Sequence, residues 1–230
     1  MTSQTHSSTG FPNFLSIEPR STLGRVLGVV ETCLVAFPNN FPISLANREV
    51  KLSDADETDF NIEFAHWLSL EFQRSELVGQ FTVPNEYPEP RQTKRGSTRK
   101  IDLAVRLANG KRILALEGKR LHDPRDRQYV SSSGNTNTGG IARFKREQHG
   151  KELPFACMVG YVQTESFTFW HEKINAWIGA EQTTLDLSWD STDSLTEPET
   201  SIQHLACCKS RHQRMTQNPI ELRHFWVKVA

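Results

Sequence analysis

The pair Asn109-Gly110, set between two alternating runs, constrains the fold of this chain more than any other stretch. Ile101-Asp-Leu-Ala-Val-Arg-Leu-Ala precedes it and Lys111-Arg-Ile-Leu-Ala-Leu-Glu-Gly-Lys-Arg follows it. Asn-Gly between apolar runs predicts a two-residue type I′ turn joining antiparallel strands, because Asn and Gly both tolerate the positive φ that turn demands. Counting back from Ala108 opposite Lys111 puts Asp102 across from Glu117, with Cβ atoms about 5 Å apart. Side chains alternate faces along a strand, so Glu117 and Lys119 share a face with Asp102. Ile101, Leu103, Val105 and Leu107 then point the other way with Leu114 and Leu116. Two carboxylates and an ammonium thus gather at one end of an apolar hairpin.

Acids held that close repel unless positive charge stands between them. Hard oxygen ligands without His or Cys suit Mg²⁺, with Mn²⁺ as a substitute, and such an ion takes one or two carboxylates together with water and substrate phosphate. Lys119, one strand step beyond Glu117, is placed to orient or help deprotonate a water, or to stabilise charge developing on a phosphate. The plain alternative is a surface salt bridge worth about 0 to 1 kcal/mol.

At these residues the chain resembles the PD-(D/E)XK superfamily of metal-dependent nucleases, which share the restriction-endonuclease-like fold. Asp102 is followed by Glu117-Gly118-Lys119 on the next strand, with Ile101 in place of the proline, and the resemblance runs from about residue 55 to about 180. It implies that Asp102 and Glu117 are metal ligands and Lys119 the catalytic lysine. It further implies an acid from the helix before the sheet, for which Glu63 is the first choice and Glu57 the second.

The chain has 230 residues and formal net charge zero, so nucleic-acid binding does not show in the total. It shows in the distribution: Arg91 to Arg146 holds 15 Lys and Arg against four acids, a local +11 balanced by −11 elsewhere. A basic band around a metal site is what a phosphate-tracking surface needs, and a merely solvated basic face is its bland counterpart. Arg95, Arg99 and Lys100 before the hairpin and Arg143, Lys145 and Arg146 after it are the candidate nucleic-acid contacts. Cys33, Cys157, Cys207 and Cys208 have no C-X-X-C spacing, which reads as buried free thiols in a reducing cytoplasm. The first twenty residues lack the basic start and apolar stretch of a secretory signal, and Leu23 to Phe37 carries Arg25 and Glu31 and is too short to span a bilayer, so no membrane partner is expected.

Along the chain, residues 1–20 read as a flexible lead and 21–52 as a helical extension. In that extension Leu23, Val26, Leu27, Val30 and Leu34 recur at helical spacing over roughly four turns, packed on the core or serving as a dimer contact. The remainder, 53–230, reads as one domain. Its helix from about Ser53 to Gln73, capped by Ser53 or Asp54, has a stripe of Phe60, Phe64, Trp67 and Leu68 with Glu63 at its edge and Glu57 on the opposite flank. A first strand is expected over Leu77 to Tyr87. Asp123 to Gly140 reads as a mobile Gly/Ser/Asn loop feeding a helix over Ile141 to Gln148. Phe155 to Val162 is a near-continuous apolar run, the mark of a strand buried on both faces. A helix over Phe169 to Ile178 follows, with Trp170, Ile174, Trp177 and Ile178 inward. Residues 181–201 read as an acidic linker or disordered loop, and two strands close the chain at about Ile202 to His212 and Ile220 to Val229. This order predicts a mixed α/β sheet flanked by helices, as the resembled core requires.

No histidine pair has H-E-X-X-H spacing, so zinc is not indicated, and Ser210-Arg211-His212 beside Cys207 and Cys208 reads as buried structure rather than as nucleophile and base. The expectation is a Mg²⁺-dependent endonuclease acting on DNA in restriction, repair or phage defence, as a monomer, a homodimer or one subunit of an assembly. Its counterpart from another class is a catalytically silent nucleic-acid-binding or assembly subunit of the same fold.

Overall fold

The computed structural model describes residues 17–229 except 48, 50, 53, 89–99, 132–138, 184–186 and 203, with side chains further left out at 86–88, 100 and 200–202. Arg95, Arg99 and the side chain of Lys100 therefore lie outside the described residues, as does most of the Gly/Ser/Asn stretch.

Two helices pack first. α1 spans Thr22–Asn47, 26 residues, and buries Val26, Leu27, Val30, Cys33, Leu34, Phe37, Phe41 and Leu45 along one stripe. The expected four turns become about seven. Pro38 and Pro42 do not end the helix. Each removes a hydrogen bond, but the aromatic stripe that continues past them is anchored by stacking. Phe37 and Phe41 lie 5.1 Å apart, Phe41 and Phe60 4.3 Å, and Phe60 and Tyr161 4.8 Å between ring centroids. Among the described residues α1 alone is long and apolar enough to cross a membrane, and its stripe is filled here by protein. It is thus part of the main core rather than an appended extension. α2 spans Glu57–Arg74, starting later than expected because the cap is Asp56, whose side chain accepts from the Asp59 N–H while the Asp59 side chain accepts from the Asp56 N–H.

Among the described residues the sheet has eight strands: β1 Phe81–Thr82, β2 Asn85–Pro88, β3 Lys100–Leu107, β4 Arg112–Leu121, β5 Phe155–Val162, β6 Glu199–Ile202, β7 Leu205–His212 and β8 Ile220–Lys228. Their spatial order is β1-β3-β4-β5-β8-β7-β6, with β2 also on β3. β4, β5 and β8 run parallel at the centre and the remaining pairs are antiparallel. Every residue of β5 is buried, as its unbroken apolar run required. One face of the sheet packs on α1 and α2 through Leu103, Val105, Leu114, Leu116 and Tyr161. The other packs on α3 (Gly140–Lys145) and α4 (Phe167–Glu181) through Ala104, Ala115, Met158 and Trp226. The result is a mixed α/β sheet covered on both faces.

Several expectations are corrected. The first strand is two short ones. α3 is six residues rather than eight, and α4 begins at Phe167 behind a Ser166 cap. The stretch 181–201 is not a solvated linker: Leu187, Trp189 and Leu195 are buried, Asp190 caps a 3-10 turn over Ser191–Asp193, and β6 starts at Glu199. Glu181, Asp190 and Asp193 serve there as partners and caps.

The hairpin keeps its predicted register by a different route. Among the described non-glycine residues Asn109 does not have positive φ, whereas Gly110 does at 87°, and the Gly110 N–H donates to the Leu107 carbonyl. The loop is therefore a type I turn closed by a glycine bulge rather than type I′. This places Arg106 opposite Arg112, one residue out of the expected register, and a second irregularity before Val105↔Leu114 restores Leu103↔Leu116. Ile101, expected beside Leu103, instead joins the core on the opposite face.

Candidate functional site

The described β3–β4 pairing ends at Leu103↔Leu116, and just beyond it the Gly118 N–H donates to Asp102 Oδ2 at 2.9 Å. A carboxylate thus meets a main-chain amide at the point where the strands part, and this fixes Asp102 beside Glu117 and Lys119. The residue between them must be small. A Cβ at position 118 would meet Asn61 Oδ1 at 1.9 Å, and Asn61 is itself held by a 2.9 Å hydrogen bond from the Tyr161 hydroxyl.

Oxygen atoms converge on the Lys119 ammonium. Its Nζ donates to Glu57 Oε1 at 2.5 Å and to the Gly118 carbonyl at 2.8 Å. It lies 3.2 Å from Glu117 Oε1 and 3.9 Å from Asp102 Oδ2. Glu57 opens α2, so the helix acid at the site is the second choice of the sequence analysis. Glu63 sits six residues later, about 9 Å along the axis. It is buried on α2 and is not among the groups around Lys119.

Glu117 is enclosed, with no exposed side-chain surface. The Arg143 guanidinium donates to its Oε1 at 2.6 Å, and His149 Nδ1 stands 3.1 Å from Oε2 without the alignment of a hydrogen bond. Two features of the local chain bring His149 there. Glu147 takes a left-handed φ of 57° and Gly150 one of 60°. The Glu147 carboxylate secures that bend by accepting from the Thr216 N–H, the Thr216 hydroxyl and the Gln217 N–H.

These contacts split the two acids electrostatically. Burial pushes the Asp102 carboxyl up to about 7, helped by the negative charge of Glu117 and opposed by Lys119 and the Gly118 N–H. Burial also works against ionisation of Glu117, yet Lys119, His149 and Arg143 together carry it well below the usual carboxylate range. Desolvation works against the charged form of Lys119, but Glu117, Asp102 and Glu57 outweigh it and keep the ammonium charged. Adjacent carboxyls driven apart in this way beside a cleft make this a candidate functional site, although structural ion-pair networks shift carboxyls too.

Three carboxylates and a carbonyl are the donor set of a hard cation. Glu117 Oε1, 3.2 Å from the Lys119 ammonium at the centre of that set, is the oxygen such an ion would take, whereas Oε2 faces His149 Nδ1. In this arrangement the ammonium takes the middle of that set, and among the described residues no cluster of three or more His, Cys, Asp or Glu side chains has metal-site geometry. A groove of about 280 Å³ opens onto Lys119 and Glu57 and is walled by Thr58, Arg120, His122 and Gln128.

Of the proposed phosphate contacts, Lys145 is withdrawn from solvent. It is 1 % exposed and donates to Asp193 Oδ1 at 2.7 Å, so it is not a nucleic-acid contact. Arg143 retains 28 % side-chain exposure but holds Glu117. Arg146 is half-buried.

A second polar cluster lies in the core, where Ser210, His212, Cys207 and Cys208 are buried as expected, although Ser210 and His212 also meet each other, which the sequence did not indicate. Trp226 Nε1–H donates to the Tyr129 hydroxyl at 2.9 Å, and that hydroxyl meets His224 Nδ1 at 2.9 Å. His224 Nε2 meets Ser210 Oγ at 2.7 Å, and Ser210 Oγ meets His212 Nε2 at 2.6 Å. His212 Nδ1 then reaches Asp193 Oδ1 at 2.6 Å. Trp226 can only donate and an ionised Asp193 can only accept. One proton arrangement therefore satisfies the whole chain, with both imidazoles neutral and each donating toward Asp193. Ser210, His212 and Asp193 have the spacing of a catalytic triad, but Ser210 and His212 are 0 % exposed and Asp193 1 %, which closes them to substrate.

Glu57 ranks behind Glu63 in the sequence and follows its cap in an ordinary helix start. Asn61 and His149 were missed, and their signals are weak in one dimension. His149 reaches Glu117 only through the bend at Glu147, which no periodicity announces. The chain matches no family model, no curated protein and no solved structure.

Proposed function

We propose that the protein is a divalent-cation-dependent phosphodiesterase acting on nucleic acid, with DNA the favoured substrate and an endonuclease the favoured type, built on a restriction-endonuclease-like core. The observation that carries this reading is the convergence of Glu57, Asp102, Glu117 and the Gly118 carbonyl on Lys119. The arrangement of helix, antiparallel hairpin, short helix and parallel strand around that point supports it. Asp102, Glu117 and the Gly118 carbonyl would hold Mg²⁺ or Mn²⁺, with Glu57 beside them. When bound, the cation would supply Lewis acidity toward a phosphoryl oxygen and lower the pKa of water.

The chain's own groups do the rest. Lys119, charged and anchored on three acids, faces the groove and would stabilise negative charge developing on the phosphate. Glu57, the more exposed partner of Lys119 with 34 % of its side chain accessible, would hold the ammonium at the mouth of the groove. Gly118 lets Asn61 close over the back of the site, keeping water out on the α2 side. The cytoplasmic reading rests on four free, buried cysteines.

One observation favours the silent-subunit alternative: Glu117 is fully enclosed, with the charged Lys119 and Arg143 both on its Oε1. Incubation with supercoiled plasmid and with single-stranded DNA, in Mg²⁺, Mn²⁺ or EDTA, separates the two. Cleavage in metal but not in EDTA, abolished by Asp102→Ala and Glu117→Ala, is the expected result. DNA binding with no cleavage under any condition would favour the silent subunit.

A further inference from the structure

Glu117 has three nitrogen-bearing neighbours, of which Lys119 is 5 % exposed at its side chain, His149 1 % and Arg143 28 %. Arg143 is therefore the one with access to solvent, and it makes the shortest contact, 2.6 Å to Oε1. A carboxylate oxygen that accepts from a guanidinium at that distance cannot offer the same lone pair to a cation. Guanidinium also matches phosphate as well as it matches carboxylate, presenting the same fork of donors to either. The mount is rigid. Two residues on, Lys145 ties α3 to the buried Asp193, so Arg143 can change partner by side-chain rotation while its helix stays in place.

We propose that Arg143 is a substrate-released latch: it occupies Glu117 in the free protein and transfers to a backbone phosphate when nucleic acid arrives, which makes cation and nucleic acid bind cooperatively. This rests on the nuclease reading above and adds to it an order of events. The free protein is held closed to the cation, and the phosphate that needs hydrolysing opens it. The coupling is reciprocal, so whatever DNA gives to cation affinity the cation gives back to DNA affinity.

Calorimetric titration of Mn²⁺ without nucleic acid, alongside fluorescence anisotropy of a DNA duplex in EDTA, tests the latch. Arg143→Met should bind Mn²⁺ about tenfold more tightly than wild type, since one charge-assisted contact no longer competes. The same variant should bind the duplex more weakly, with its salt slope reduced by about one. A phosphorothioate duplex should raise Mn²⁺ affinity in wild type but not in Arg143→Met. A residue that only braced the fold would lose affinity for both ligands. If Arg143→Met does not fold, Arg143→Lys keeps the charge without the fork and should show the same opposed shifts at smaller size. Unchanged or weaker Mn²⁺ binding in these variants, with Glu117→Gln still abolishing it, would overturn the latch and leave the metal site standing. Absence of Mn²⁺ binding in wild type and in every variant would remove the metal site and the latch together.

Discussion

Asp102 holds its proton in the folded, cation-free protein at pH values where the unfolded chain has lost it, because its carboxyl is pushed from 3.8 up to about 7. A raised pKa contributes stability that is complete below the unfolded value and is lost as pH rises through the folded one. Asp102→Asn cannot ionise and keeps an acceptor for the Gly118 N–H. It should be more stable than wild type at pH 8 by about 2 kcal/mol, allowing for a partly solvated side chain, and the gain should vanish near pH 4. Urea melts at the two pH values check this. Lys119→Ala removes the ammonium from the middle of the oxygen set and should abolish turnover while calorimetric Mn²⁺ affinity is retained or improved. Gly118→Ala should destabilise by about 1 to 3 kcal/mol in thermal melts, because the buried Asn61 must move. Position 118 also shows what the sequence withheld at this scale. Asp102, Glu117 and Lys119 were legible because strand period and turn spacing bring them together. Asn61, Glu57 and His149 arrive from other elements, and nothing in a local pattern encodes the distance between a helix start and a strand end.

The hairpin was legible as an element even though its turn was not. The turn is one residue longer than the Asn-Gly pair implies, and the irregularity before Val105↔Leu114 compensates. From Leu103 to Leu116 the side chains therefore face as expected, because burial of Leu103, Val105, Leu114 and Leu116 on one side penalises any other register, and Ile101 alone of the expected set turns to the other face. The stretch 181–201 failed for the opposite reason: Leu187, Trp189 and Leu195 anchor it at irregular intervals, which gives neither helical nor strand period. Its Asp193 terminates the buried hydrogen-bond chain from Trp226. Burial lowers the pKa of His212, against the pull of Asp193, and burial lowers that of His224 further. A depressed imidazole contributes stability that is present above the unfolded value of 6.5 and is lost as pH falls. Two such groups should steepen acid destabilisation to as much as about 2.7 kcal/mol per pH unit below neutrality. The effect is best read in the Asp102→Asn background, where the opposing carboxyl is gone. A flat stability profile between pH 7 and 5.5 there would contradict neutral imidazoles. Ser210→Ala strands both Nε2 atoms and should cost about 2 to 4 kcal/mol in urea melts.

Across the whole molecule, the mixed α/β sheet flanked by helices followed from apolar periodicity and run length, whereas the order of the strands was not predicted and the surface did not follow from charge counting. Of the basic band between Arg91 and Arg146, Lys145 turned inward and Arg143 turned onto an acid. Charge reversal at Arg95 and Arg99 should weaken DNA binding and lower the slope of log affinity against log salt by about one per lost phosphate contact. Lys145→Glu should instead unfold the protein, since it would place a second buried anion against Asp193. Anisotropy at several salt concentrations, with circular dichroism as the control, distinguishes these outcomes. The chain from Trp226 to Lys145 also joins β8, the 3-10 turn Arg127–Tyr129, β7, the turn Ser191–Asp193 and α3. Its Tyr129 links form only when segments up to 97 residues apart in sequence have met. Folding on that face is therefore all or nothing: the last strand cannot detach while the middle of the chain stays native. Amide protection in β8 and around Tyr129 should be lost in a single step, and shortening the chain within β8 should loosen the grip of Arg143 on a glutamate more than a hundred residues upstream.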